Sequence, residues 1–147
     1  MTDFIKKIGY IATMGVLGLA GCAQGDGTLE DVDPASLPPI VTWDDHIAPL
    51  LDRYCATCHS EAATVGLVAG YDYGSYAGAR CLYGGLEQTY FNQGSMPPGA
   101  APRPDGRQDA LLRRWQAQGF FESLDEAGQG VKPTVDCNAI RRRGNNG

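Results

Sequence analysis

Two thiols three positions apart, with an imidazole directly after the second, stand near the middle of this chain as Cys55-Ala56-Thr57-Cys58-His59. His59 is one of only two histidines. The surroundings sharpen the constraint. Glycine is abundant, 20 residues of 147, and 9 prolines accompany it. That composition favours short elements and loops over a long bundle. A chain of this size with little continuous periodicity needs something for its short helices to pack around.

The N-terminus reads as a leader and not as part of the fold. Lys6 and Lys7 precede an apolar stretch from Ile8 to Ala20, too short for a membrane span and laid out as a secretory signal. Its end, Leu19-Ala20-Gly21-Cys22, resembles the bacterial lipoprotein signal, in which the cysteine is lipidated; the alternative is a plain secretory peptide with a chance cysteine. The expected organisation is a lipoprotein signal peptide at 1–21, a lipidated tether at 22–41, a domain at 42–121 and a C-terminal extension at 122–147. Acyl chains on Cys22 would hold the protein at a membrane surface without a span. Ala23 lacks the aspartate of an inner-membrane retention signal, which points toward the outer membrane. The formal charge of -5 gives no support to nucleic-acid binding. Export permits disulfides. With Cys22 assigned to lipid and Cys55 and Cys58 to the central motif, Cys81 and Cys137 remain as a candidate disulfide, the alternative being two free thiols.

Residues 23–40 carry acids, glycines and prolines but no apolar period, so a mobile or surface-hugging strand of chain is expected. Thr42 reads as an N-cap, and Trp43, Ile47, Leu50, Leu51 and Tyr54 recur at helical spacing. Pro49 would kink or split that helix. Ser75 is a candidate cap for a short helix through Tyr76, Ala79 and Leu82, with a second short helix over Leu86–Asn92. The last helix has Asp105 and Gln108 as a capping box, the stripe Ala110, Leu111, Leu112 and Trp115, and Gly119 as its stop. Arg113 and Arg114 lie near its C-terminus, where positive charge suits the dipole. Trp115 is expected against the first helix near Ile47, Leu50 or Leu51. Residues 122–147 read as an extended tail whose arginines at 141–143 are solvated or meet lipid headgroups or an acidic partner.

The central motif has three readings: buried cysteines beside an unrelated histidine, a zinc or thioredoxin-like dithiol site, or a c-type haem attachment. Zinc wants four ligands. The motif supplies three, adjacent Cys58 and His59 reach one tetrahedral ion poorly, and the fourth would have to be His46 or Cys81. A thioredoxin-like site normally follows a strand, and no strand-helix-strand pattern is visible. Covalent attachment of a porphyrin needs two cysteines at a fixed short separation and an imidazole on the same side, which Cys55, Cys58 and His59 supply. Met96 is the candidate sixth ligand. It stands in Ser95-Met96-Pro97-Pro98-Gly99, a stiff loop and not a periodic apolar run, and Met1 and Met14 fall in the leader. Its thioether would favour ferrous iron. His46 is the rival.

On these residues the chain resembles the small class I, monohaem cytochromes c of the bacterial lipoprotein type. The likeness runs from about Thr42 to Phe121 and rests on the helix before the motif, Cys55-x-x-Cys58-His59, Ser95-Met96-Pro97-Pro98, and the closing helix with Leu112 and Trp115. The resemblance implies an all-α fold of short helices wrapped around one covalent haem c, with first and last helices crossing beside it. It implies thioethers at Cys55 and Cys58, His59 proximal and Met96 distal. The pair Cys81 and Cys137 and the extension past residue 121 depart from the pattern and suggest a fixed subunit of a larger complex.

The function so expected is electron transfer by a periplasm-facing, membrane-anchored protein, with a redox protein or membrane electron-transfer complex as partner. Two axial ligands leave no open position for substrate, so no catalysis is expected. Tyr71, Tyr73, Tyr76 and Tyr90 are candidates to line the pocket, and Arg80 or Arg103 to pair with a propionate. The alternatives are a haem-stabilised structural or assembly subunit, and a haem enzyme or ligand sensor in which Met96 leaves the iron.

Overall fold

The structure, a computed structural model, describes residues 32–63, 71–130 and 134–144, with the side chains of Arg143 and Gly144 excepted. The leader, Cys22 and the first part of the tether lie outside the described residues. Within them the chain is all-α, with short helices joined by irregular segments and no strand.

Helix α1 spans residues 43–56 in three consecutive pieces, Trp43–Ile47 and Asp52–Ala56 wound as π-helix around an α-helical Ala48–Leu51. Thr42 caps it, its hydroxyl accepting from the Asp45 N–H. Pro49 cannot donate into the ladder, and the wider winding begins on its N-terminal side, where the Ile47 N–H reaches back to the Thr42 carbonyl at 3.2 Å. The helix is neither ended nor split by the proline. Its apolar side, Trp43, Ile47, Leu50 and Leu51, is buried.

Helix α2 (Tyr76–Leu86) starts at Ser75, whose hydroxyl accepts from the Gly78 N–H. It runs without interruption into a π-wound turn, Glu87–Asn92, in place of the two separate short helices the sequence suggests. Tyr76, Ala79, Tyr83 and Leu86 bury one side of it, and that burial outweighs the cost of about 1 kcal/mol for each interior glycine at 84 and 85. Helix α3 (Gly106–Gln118) has the expected reciprocal capping box of Asp105 and Gln108, and stops at Gly119 with φ 95°. The segment expected as an extended tail is instead partly helical: α4 (Leu124–Gln129), capped by Ser123, and α5 (Cys137–Gly144). Ser123 caps the start of α4, and the Cys81–Cys137 bridge and the Asp136 carboxylate hold the start of α5.

Trp115 is fully buried at the centre. Its ring meets Trp43 at 6.0 Å, Tyr76 and Tyr83 at 6.3 Å each, and Phe120 at 4.9 Å. The Phe121 carbonyl accepts both the Trp115 indole N–H and the Trp43 peptide N–H, each at 2.9 Å, which ties the start of α1 to the end of α3. Ile47, Leu50 and Leu51 belong to the same cluster. The strap before α1 hugs the surface. Arg114 donates to the carbonyls of Pro34, Leu37 and Pro38 at 3.2, 3.4 and 2.8 Å. Gln118 accepts from the Val41 N–H at 2.9 Å and donates to the Pro39 carbonyl at 2.6 Å. Arg114 therefore satisfies carbonyls of another segment, not those of its own helix end. Cys81 and Cys137 form a disulfide that fastens α5 to α2.

Candidate functional site

A cavity of about 390 Å³ opens beside the end of α1, within the range of about 300–1,000 Å³ usual for ligand sites. Cys55, Cys58, His59 and Met96 all line it. The motif reaches it because α1 ends in a tight turn: the N–H groups of Cys58 and His59 both donate to the Cys55 carbonyl, at 3.1 and 2.9 Å. Met96 arrives from the opposite direction in sequence. The Ser95 and Met96 N–H groups donate to the Thr89 carbonyl at 2.9 and 3.3 Å, so the loop folds back on the end of the α2 extension. The Met96–Pro97 peptide is cis.

The rest of the wall is mainly apolar. Leu86 and Leu112 belong to both the core and the cavity, and Pro97, Pro98, Ala101, Pro102 and Pro104 also line it. Tyr71, Tyr73 and Tyr90 line it as the sequence suggests. Tyr76 does not. Its ring packs on Trp43 and Trp115, and its hydroxyl donates to the Phe120 carbonyl at 2.6 Å.

The imidazole of His59 packs edge-on against two neighbouring tyrosines, with ring centroids 6.2 Å from Tyr71 and 5.7 Å from Tyr73, which are themselves 6.4 Å apart. Burial pushes its pKa below the ordinary 6.5, so at neutral pH it is the uncharged form that ligates metals. Its Nδ1 is buried and has no hydrogen-bond partner among the described residues. Burial and the neighbouring Cys58 push the Cys55 thiol up to about 12. A thioether carries no charge and tolerates the same apolar surroundings without that cost.

The zinc reading loses both its candidate fourth ligands. Cys81 is bonded to Cys137. His46 sits at the start of α1, where its Nδ1 accepts from the Thr42 N–H at 3.2 Å, and it is not among the residues lining the cavity. The same placement removes it as a rival to Met96. Neither arginine singled out in the sequence lines the cavity: Arg80 donates to the Tyr76 hydroxyl at 3.2 Å, and Arg103 donates to the carbonyls of Gly94 and Pro97. The charged lining residue is Arg53, two positions before the motif. Sequence reading passed over it because one arginine beside a helical stripe carries no signal of its own. Thr89 was passed over for a similar reason, since its part is played by a backbone carbonyl.

No family model matches the chain, and neither a curated protein nor a solved structure matches it.

The residues present fit a haem on four counts. Two cysteines at the attachment spacing, a neutral imidazole, a thioether and a largely apolar wall surround one cavity.

Proposed function

We propose that this chain is a small electron-transfer cytochrome c with an all-α, haem-wrapped architecture. In this reading Cys55 and Cys58 would hold one haem through thioethers, and His59 and Met96 would be the ligands of its iron. The observation that carries the reading is that these four side chains, from two distant stretches of sequence, line a single cavity.

A bound haem supplies a one-electron ferric–ferrous couple, its potential raised by a thioether ligand relative to bis-histidine ligation. The chain's own residues do the rest. Tyr71 and Tyr73 fix the plane of the His59 ring. Leu86, Leu112 and the proline-rich segment exclude water, and Arg53 offers positive charge to a carboxylate at the wall. With His59 and Met96 both holding the iron, no position would remain for substrate, and the bound group would serve electron exchange with a partner and not catalysis. The wider reading is a lipoprotein anchored through Cys22, facing the periplasm, as subunit or docked partner of a larger redox complex.

A second reading keeps the haem and drops the redox role. Leu86 and Leu112 are shared by core and cavity, so an occupant there also completes the core. Electron exchange with neighbouring centres that stays slow despite full haem loading would favour this structural role.

The deciding experiment is an optical spectrum of the membrane-extracted protein, oxidised and reduced, with a pyridine haemochrome control. A covalent c-type signature, low spin, with a weak far-red methionine–iron band that disappears in Met96→Ala, is expected. Absence of haem overturns the proposal. Haem without that band removes Met96 from its assigned role.

A further inference from the structure

The Met96 loop is held from two sides, and the second side is a cation. Arg103 is exposed, yet its Nη1 donates to the Gly94 carbonyl at 3.2 Å and to the Pro97 carbonyl at 3.4 Å. These two carbonyls flank Met96 in sequence. The same guanidinium lies over the Tyr90 ring, 5.1 Å from its centroid, a cation–π distance. Tyr90 is in turn anchored to α3, its hydroxyl donating to the Asp109 carboxylate at 2.5 Å. Pro102 and Pro104 stand on either side of Arg103 and restrict its backbone. A continuous connection therefore runs from α3 through Asp109, Tyr90 and Arg103 to the backbone on both sides of Met96.

We propose that Arg103 is a positioning residue that clips the Met96 loop across the cavity and so keeps the thioether at the sixth position. The inference rests on the cytochrome reading, and it adds the determinant of whether that position stays closed. Among the described residues Arg103 is the cation that bridges both sides of Met96. Both hydrogen bonds leave from one nitrogen, Nη1, while the flat guanidinium lies over the Tyr90 ring, and it is this stacking that a lysine ammonium reproduces poorly. Loss of the clip raises the fraction of molecules with an open sixth position, and the apparent affinity for an outside ligand rises with that fraction.

The test is an imidazole titration of the ferric holoprotein, comparing the parent with Arg103→Ala, Arg103→Lys and Arg107→Ala. Arg107 is exposed and bonds Ser36, away from the loop, so its removal deletes a positive charge without touching the Met96 loop. Arg103→Ala is expected to take imidazole about tenfold more tightly, with Arg103→Lys between it and the parent and Arg107→Ala unchanged. Covalent haem and the melting temperature should be the same in all four. Equal affinity in parent and Arg103→Ala overturns the assignment, as does an equal rise in Arg107→Ala. A parent without covalent haem overturns the cytochrome reading instead. Amide exchange then decides the clip alone. Faster exchange at Ser95 and Met96 in Arg103→Ala, with Trp43 as the unaffected reference, supports it, and unchanged exchange overturns it.

Discussion

The peptide N–H of Tyr73 donates to the carbonyl oxygen of His59 at 2.6 Å, and the two rings meet edge-on with centroids 5.7 Å apart. One residue thus holds both the backbone and the imidazole that follow the cysteine pair. Tyr73 is itself buried, and its hydroxyl donates weakly to the Leu82 carbonyl at 3.4 Å. Tyr73→Ala is expected to cost about 3–5 kcal/mol, as for other buried aromatic truncations. Tyr73→Phe keeps the ring and should cost no more than about 1 kcal/mol. Urea unfolding of both variants checks the difference, and equal costs would mean that the hydroxyl, and not the ring, supports the site.

The segment that carries Tyr71 and Tyr73 turns onto α2 at a point where only glycine fits. A Cβ on Gly78 would lie 2.0 Å from the Asp72 carbonyl oxygen, a backbone atom that cannot swing aside. Gly78→Ala should destabilise by at least about 1–3 kcal/mol through overpacking. Gly84 lies in the same helix, exposed and with nothing near a Cβ, so Gly84→Ala should stabilise by about 0.4–1 kcal/mol. Opposite signs in thermal unfolding are the expected result for this pair.

The Cys81–Cys137 bridge closes a loop with a sequence separation of 56. The loop-entropy relation puts its stabilisation at about 4 kcal/mol. The Cys81→Ser/Cys137→Ser double variant should lower the denaturant midpoint accordingly, and adding reductant to the parent should move it the same way. A midpoint unchanged by either treatment would show that α5 contributes nothing to the cooperative unit.

Asp109 gives a pH dependence with a definite sign. Burial, the largest influence, raises its pKa above the ordinary 3.8; the Tyr90 hydrogen bond and the Arg113 and Arg103 charges oppose this, and Asp105 adds to it. The folded state therefore favours the protonated acid. This contribution is fully present below the unfolded pKa and is lost as pH rises through the folded one. Asp109→Asn keeps an acceptor for Tyr90 and removes the titration, so its stability relative to the parent should improve as pH rises from 3.8 through the folded pKa and then level off. Chemical denaturation at a series of pH values checks this, and a relative stability that falls over that range would reverse the sign.

Much of the secondary structure was legible because its signals are local. Thr42, Ser75 and Asp105 each cap a helix with a side chain that reaches the N–H three residues on. The whole device fits within one turn and is written in adjacent letters. Gly119 ends α3 for an equally local reason, a positive φ. Cys55, Cys58, His59 and Met96 could be named from residue type and spacing, and Cys81 and Cys137 as a candidate pair from the cysteine count, while the bond itself is shown by the structure. The continuity of α2 was misjudged because glycines 84 and 85 read as punctuation, while the decisive term was the burial of Tyr83 and Leu86. The C-terminal segment reads as extended because α4 and α5 are short, six and eight residues, and mostly polar.

The sequence by itself determined the capped starts of α1, α2 and α3 and the stop of α3, marked Cys81 and Cys137 as a candidate pair, and singled out Cys55, Cys58, His59 and Met96 by their chemistry. Tertiary structure decided that those side chains line one cavity, that Arg53 and not Arg80 or Arg103 lies in its wall, and that Arg114 and Arg103 are spent on carbonyls of other segments. The division has a physical cause. A cap or a spacing is satisfied within a few residues, whereas Arg114 meeting Pro38 or Tyr90 meeting Asp109 requires chain segments to be brought together by burial around Trp115, and no short stretch of sequence records which partners that collapse will choose.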